Sequence, residues 1–351
     1  MKRQNPAFRK KKRRSKLREF FDNFRYRCGE LSVRGSMKFL PVVPAPVTSA
    51  FVRGMSRITF FFMRDYRTHM SLNVAAVLAQ EMPDAKDREQ LVWRAWLNFA
   101  EGVLETIRVM HFSKERLLAT VRLQGEEHLR SALGRGKGVL ALSAHLGSFT
   151  MIGARLAAGG YPFSVVIKQP RDQRFAKLMD DYRAQIGIHT ISAKPRRLAV
   201  RGILQALREN RIVLIIADEF RSGDVMVDFF GMKVPAPRGP ATLALRTEAT
   251  TLPMFAVRYS PEHVELTVDA PIAPVKEDDL EASVVATTAL YTRRIEAAVR
   301  KNPEQWNWMG LPRRDGKMSR TEMARAGKRS RQTSSSGEPA IEADQTPLRI
   351  K

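Results

Sequence analysis

The stretch ALSAHLGSFTMIG, residues 141–153, sets one histidine, His145, between a run of small apolar residues and a helix-like segment. Imidazole has an ordinary pKa near physiological pH, and its neutral form takes a proton from an attacking hydroxyl. His145 therefore suits general-base work. The amides of Gly147 and Ser148 would lie near the positive end of the following helix, where an oxyanion is stabilised. Thr150, five positions after the histidine, offers a neutral hydroxyl rather than a carboxylate. A lone histidine in a turn also serves as an ordinary structural hydrogen-bonding residue, so its surroundings decide.

Those surroundings alternate between strand-like and helix-like segments. Residues 49–80 and 87–112 carry apolar residues at helical spacing, which predicts two long N-terminal helices. GVLALSA (138–144) is a short apolar run bounded by glycine and by the His-Leu-Gly turn. After it, residues 148–160 predict a helix with Ser148 as N-cap and two glycines as its stop. Further strands are expected at 163–168, 211–217, 251–259 and 263–270, and helices at 174–188, 198–210, 239–249 and 282–303. Strands that are apolar throughout, separated by helices, imply an α/β fold with a mainly parallel central sheet flanked by helices. In such sheets ligands sit beyond the carboxyl ends of strands. Two polar breaks fall there, HLGS after 138–144 and DEFRSGD (218–224) after 211–217.

The chain has 351 residues and a formal charge of +24, and 44% of its residues are hydrophobic, enough for a sizeable core. The charge is concentrated at the ends. Residues 1–36 hold 13 Lys/Arg against 3 acids, and residues 313–351 hold 10 against 5. RKKKRRSKLR (9–18) is a self-repelling block that reads as a mobile arm or a solubilising tail. The Ser/Gly/Pro-rich C-terminal stretch reads as disordered. Cys28 is the only cysteine, which excludes an intramolecular disulfide and a cysteine-based zinc site. No metal is implied. The start lacks a secretory h-region, and no clean run of 18 apolar residues predicts a spanning helix. The expected organisation is a basic arm over 1–36, a helical membrane-associating region over 37–112, an α/β domain over 113–313 and a tail over 314–351.

The stretch AHLGSFT resembles the His-(four residues)-Asp/Glu motif of glycerolipid-type acyltransferases, in the form used by the bacterial lipid A late acyltransferases. The likeness extends over roughly 50–314. THMSLNVAAVLAQ is similar to the family's Asn-centred N-terminal helix, and NFAEGVLETIRV to its Glu-bearing one. The block from ALRENRIVLIIADEF through DFFGMKVPAPRGPATLALRTEATTLPMFAVR is the most specific, and NPEQWNWMGLPRR is similar to the closing segment. The resemblance implies transfer of a fatty acyl group from acyl-carrier protein or acyl-CoA to a hydroxyl of a membrane glycolipid of lipid A precursor type. It implies no cofactor beyond that co-substrate. His145 would be the base, and a carboxylate five residues on would orient the imidazole, as the acid does in a Ser-His-Asp triad.

Thr150 departs from that pattern. Three readings stand open at this point. Asp218 or Glu219 supplies the charge from a neighbouring strand end, the reaction runs slowly or on an activated acceptor, or the chain is a non-catalytic lipid-binding relative. Among the positions that carry over, Lys168 stands where the family has an arginine, and Asp218 matches the acid after the apolar strand. Arg221, Arg238 and Arg258 are candidate phosphate contacts, and Phe229, Phe230 and Gly231 form a packing turn or the wall of an acyl channel. The tryptophans of WNW (306–308) suit either an interface or a core. The basic arm with Phe39, Leu40, Phe60, Phe61, Phe62 and Met63 reads as a device for an anionic membrane surface. That reading implies a peripheral or monotopic protein on the cytoplasmic face of the inner membrane. Binding of nucleic acid through the tails is the weaker reading, because no recognition motif accompanies the charge.

Overall fold

The computed structural model describes residues 43–169, 173–221 and 223–314, with isolated helical positions at Arg27, Leu31, Gly35 and Phe39. Cys28, Leu40, most of the basic arm and nearly all of the expected tail lie outside the described residues. The first expected helix is divided at Met63 (φ −87°, ψ 54°) into α1 (Ala45–Phe62) and α2 (Arg64–Leu78). Helix α3 (Ala85–Val109) follows, with Asp84 accepting from the Lys86 amide at its start.

Seven strands form the main sheet in the order β1-β9-β8-β2-β5-β3-β4. They are β1 (Val121–Gln124), β2 (Val139–Ser143), β3 (Phe163–Ile167), β4 (Ile188–Ser192), β5 (Ile212–Ile216), β8 (Thr250–Ser260) and β9 (His263–Val268). All neighbouring pairs run parallel except β8 and β9, as the apolar strands predict. A separate hairpin, β6 (Val225–Phe229) and β7 (Met232–Ala236), leaves the sheet after β5.

The connecting helices are α4 (Lys114–Thr120), α5 (Glu126–Gly134), α6 (Phe149–Ala158), α7 (Gln173–Gln185), α8 (Arg196–Arg208), α9 (Gly239–Arg246) and α10 (Leu280–Lys301). Alternation along β2 builds two cores. Leu140 and Leu142 join Val74, Trp96, Ile203 and Ile295 on one face. Val139 and Ala141 join Leu129, Ile152, Phe163 and Leu252 on the other. Each Val, Leu, Ile or Phe among them contributes about 1.5–3 kcal/mol through burial, so β2 is clamped from both sides. The turn that follows it inherits that rigidity.

Candidate active site

His145 leaves β2 at its carboxyl end, and Asp218 lies just past the end of the adjacent β5, where the Ala217 amide donates to the Ser143 carbonyl (2.9 Å). Parallel pairing thus brings together two residues 73 positions apart. His145 Nδ1 lies 2.8 Å from Asp218 Oδ1, and the His145 amide donates to Oδ2, also at 2.8 Å. The Trp306 indole N–H donates to the same Oδ2 (2.8 Å). The Asp218 carboxylate is 2% exposed, whereas the imidazole is 37% exposed.

Burial works to raise the Asp218 pKa. The facing imidazole charge and the hydrogen bonds from His145 and Trp306 outweigh it, and the carboxyl is held below the usual carboxylate range. At His145 burial pulls the pKa down. Its charge interaction and hydrogen bond with Asp218, aided by Glu219, prevail and raise the ring above its ordinary value, against Arg221. An ionised Asp218 accepts only, so Nδ1 carries the proton. Nε2 then keeps its lone pair and has no hydrogen-bond partner among the described residues.

The ring borders a cavity of about 120 Å³ walled by Trp96, Phe99, Val103, Phe149 and Met309. Phe149 stands edge-on to it, with ring centroids 5.1 Å apart. Thr150 lines this groove but does not reach the imidazole. Its hydroxyl accepts from Thr106 at 3.3 Å. The charge that the imidazole meets therefore comes from Asp218.

The amides expected to hold an oxyanion are otherwise engaged. Gly147 donates to the Gln305 carbonyl (2.9 Å) and Ser148 to the Ala256 carbonyl (2.8 Å). Gly147 presses against β8 at φ +55°, where a Cβ would meet the Ala256 carbonyl oxygen at 2.2 Å. The turn is welded to β8 and to residue 305. Ser148 occupies the N-cap position of α6 without capping it. Its hydroxyl instead donates to Glu105 (2.8 Å). The two amides that open α6, of Phe149 and Thr150, have no partner among the described residues and border the groove.

Arg258 is 8% exposed and fully engaged with protein. It donates to Glu101 (3.0 Å), Asn98 (2.9 Å) and Ser148 (3.3 Å), and its Nε lies 3.4 Å from Glu105. Burial pushes the Glu105 carboxyl up, against the pull of Arg258 and the Ser148 hydrogen bond. A free phosphate-binding arginine is not what the structure places there. Arg221 pairs with Glu219 (2.8 Å) and Arg238 with Glu281 (2.5 Å). Lys168 stands exposed just past β3, with β5 between its strand and β2. Of the candidate residues, His145, Gly147 and Thr150 line the groove, with Asp218 behind the imidazole, while Ser148 turns to Glu105 and Arg258.

Trp306 is the contributor that sequence reasoning left unassigned. It and Trp308 are buried to 1% and 0%, which settles WNW as core. Phe220, Phe229 and Trp306 stack beneath Asp218, with centroids 4.6 Å apart (Phe220–Phe229) and 5.3 Å apart (Phe229–Trp306). The Phe-Phe-Gly turn therefore packs under the acid. The Asn307 amide donates to the His145 carbonyl (3.1 Å), and Asn73 on α2 holds the Trp308 carbonyl (2.9 Å). Among the described residues no cluster of His, Cys, Asp or Glu is placed to hold a metal ion.

Residues 25–312 match the sequence model of the family described as bacterial lipid A biosynthesis acyltransferase. The chain belongs to this family. It is 26% identical over 248 residues to the phosphatidylinositol mannoside acyltransferase of Mycolicibacterium smegmatis, covering 68% of this chain and 76% of that one. The Mycobacterium tuberculosis (strain CDC 1551 / Oshkosh) protein of the same name is 27% identical over 245 residues, covering 68% and 74%. The lipid A biosynthesis acyltransferase of Haemophilus influenzae is 25% identical over 228 residues, covering 64% and 69%. Among solved structures, the 1-acyl-sn-glycerophosphate acyltransferase PlsC of Thermotoga maritima aligns with a TM-score of 0.34 at 13% identity, covering 73% of this chain and 96% of that one. The family match and the named relatives make the chain an acyltransferase of the lipid A and glycolipid type.

Proposed function

We propose that this acyltransferase moves a fatty acyl group from a thioester, carried on acyl-carrier protein or CoA, to a hydroxyl of a membrane glycolipid, with His145 as general base. The observation that carries the reading is the His145–Asp218 pair beside an apolar groove. Asp218 fixes the tautomer, and Nε2 removes the proton as the acceptor oxygen attacks the thioester carbonyl. The buried carboxylate then stabilises the imidazolium, which returns the proton to the departing thiolate. The unpartnered amides of Phe149 and Thr150, at the positive end of α6, take over the oxyanion role expected of Gly147 and Ser148. The groove's aromatic and aliphatic walls suit an alkyl chain.

Membrane association is part of the same reading. No described helix is long and apolar enough to cross a membrane. Helix α1, however, is turned inside out. Its buried side carries Thr48 and Ser56, while Val47, Phe51, Met55, Ile58 and Phe62 are 42–75% exposed along one stripe. Phe60 departs from the expected membrane set, because it packs edge-on to Trp93 (5.3 Å) and Trp96 (5.7 Å). Exposed Arg57 and Arg64 lie nearby, against the Trp93 and Phe61 rings (5.8 and 5.9 Å), while Arg53 turns to the opposite side of the helix. An apolar face with cations close by suits an anionic bilayer interface. Helix α1 packs on α3, whose exposed Phe99 and Val103 line the His145 groove.

The decisive experiment incubates the protein with a labelled acyl thioester and a total lipid extract and identifies the labelled product. His145→Ala should abolish transfer, and turnover retained in that variant rejects the base assignment. Phe51→Ser with Phe62→Ser should release the protein from anionic vesicles on sedimentation. Unchanged pelleting rejects the stripe as the anchor.

A further inference from the structure

A second cavity opens on the helix-covered side of the sheet, between α8 and α9. Its volume is about 910 Å³, within the range of small-molecule sites. It shares no lining residue with the His145 groove. The floor is the sheet itself, Val166 on β3 and Ile215 on β5, both only half-buried. Interior strands of a parallel sheet are normally covered on both faces. Here α8 packs on β3, β4 and β5 while α9 packs on β2 and α10, and the sheet between the two helices is left open. Val200, Ile203, Leu204 and Leu243 continue the apolar wall.

The rim is cationic. Arg196 and Arg208 stand at the two ends of α8, and Arg238 and Arg246 bracket α9. Asp224 is the one carboxylate among the lining residues. Arg238 is neutralised by Glu281. Arg196, Arg208 and Arg246 make no side-chain hydrogen bond or ion pair among the described residues. An apolar hollow rimmed by three uncommitted guanidiniums is complementary to an alkyl chain that ends in an anion. We infer that this cavity binds a long-chain fatty acid anion, with its chain on Val166, Ile215 and Leu204 and its carboxylate on Arg208 and Arg246. The site is separate from the groove where acyl transfer is proposed, and it stands whether or not His145 is the base.

Fluorescence titration of the full chain with 11-(dansylamino)undecanoate, below its micelle concentration, tests this. Saturable binding displaced by dodecanoate more strongly than by dodecanol is expected. Arg208→Glu with Arg246→Glu should weaken binding at least roughly tenfold, the scale of hydrogen bonds to charged groups. Both side chains are exposed, so the fold should be unaffected. Val200→Trp, at an exposed position of the lining, should block the hollow, with an unchanged melting temperature as its control. His145→Ala and Phe99→Trp should leave binding intact. Binding that ignores the arginine pair, equal displacement by dodecanol, or loss with Phe99→Trp overturns the inference.

Discussion

Two acid–base contacts flank the same turn of chain, and they differ in what they leave unsatisfied. In the Arg258 cluster, Glu101, Asn98, Ser148 and Glu105 take up the guanidinium, and Arg258 is 8% exposed. In the His145 pair, Asp218 is held by the imidazole and by the Trp306 indole, yet the imidazole keeps one free nitrogen at the edge of a groove. The first contact closes on protein and ties α3 to the turn. The second has a polar atom left over for a substrate. Burial and charge pairing alone do not separate a structural ion pair from a chemical one. The remaining free atom, and what it faces, does.

Asp218→Asn tests the chemical member and should have the largest effect. An amide keeps the shape but offers the imidazolium no charge, and loss of the acid from a comparable triad costs about four orders of magnitude in kcat. The pH profile supplies the sign. His145 must be neutral to act, and Asp218 raises its pKa, so wild-type activity rises through a limb above pH 6.5, the imidazole's ordinary value. In the variant burial lowers the pKa and Arg221 adds to it, with only the weaker pull of Glu219 opposing them, so the limb should move to lower pH. A limb that stays in place, or moves up, removes Asp218 from the mechanism.

Arg258→Met tests the structural member. Removing one partner leaves Glu105 buried without its counter-charge, and breaking such a pair costs about 3–5 kcal/mol of stability. Chemical denaturation should show that loss, while the folded fraction turns over within a few-fold of wild type. The reverse outcome, wild-type stability with lost activity, would make Arg258 a substrate contact and collapse the distinction drawn here.

The difference also marks what could be read from the chain. Apolar runs such as RIVLIIA announced the central strands, and the polar residues at their ends announced His145 and Asp218. The short β1 and β4 and the β6–β7 hairpin were not anticipated. IHTIS is interrupted by polar residues and directly follows a helix, and in VMVDFFGMKVPA the turn residues dominated the reading. Ser148 has the right type and place for a cap, but Glu105 on α3 claims its hydroxyl. The sequence left Trp306 open between interface and core, because the need of Asp218 Oδ2 for a second donor exists only in three dimensions. Helix α1 shows the apolar period plainly, whereas period alone does not say which face points inward.

Thr150→Ala should have the smallest effect, and it bears most directly on the comparison. Thr150 occupies the position where the resembling motif carries an acid, five residues after the histidine. If position governed role, removing its hydroxyl would be nearly as damaging as removing Asp218. The hydroxyl instead accepts from Thr106 at 3.3 Å, a contact at the long edge of hydrogen bonding. The Asp218 carboxylate, donated from β5, already holds the imidazole. The backbone amide of Thr150, the atom assigned to the oxyanion, is kept by alanine. Transfer rates should therefore fall by less than about fivefold, which corresponds to roughly 1 kcal/mol of barrier. A loss approaching that of Asp218→Asn would mean that the threonine hydroxyl moves onto the ring during turnover and that the free nitrogen is not what distinguishes this pair.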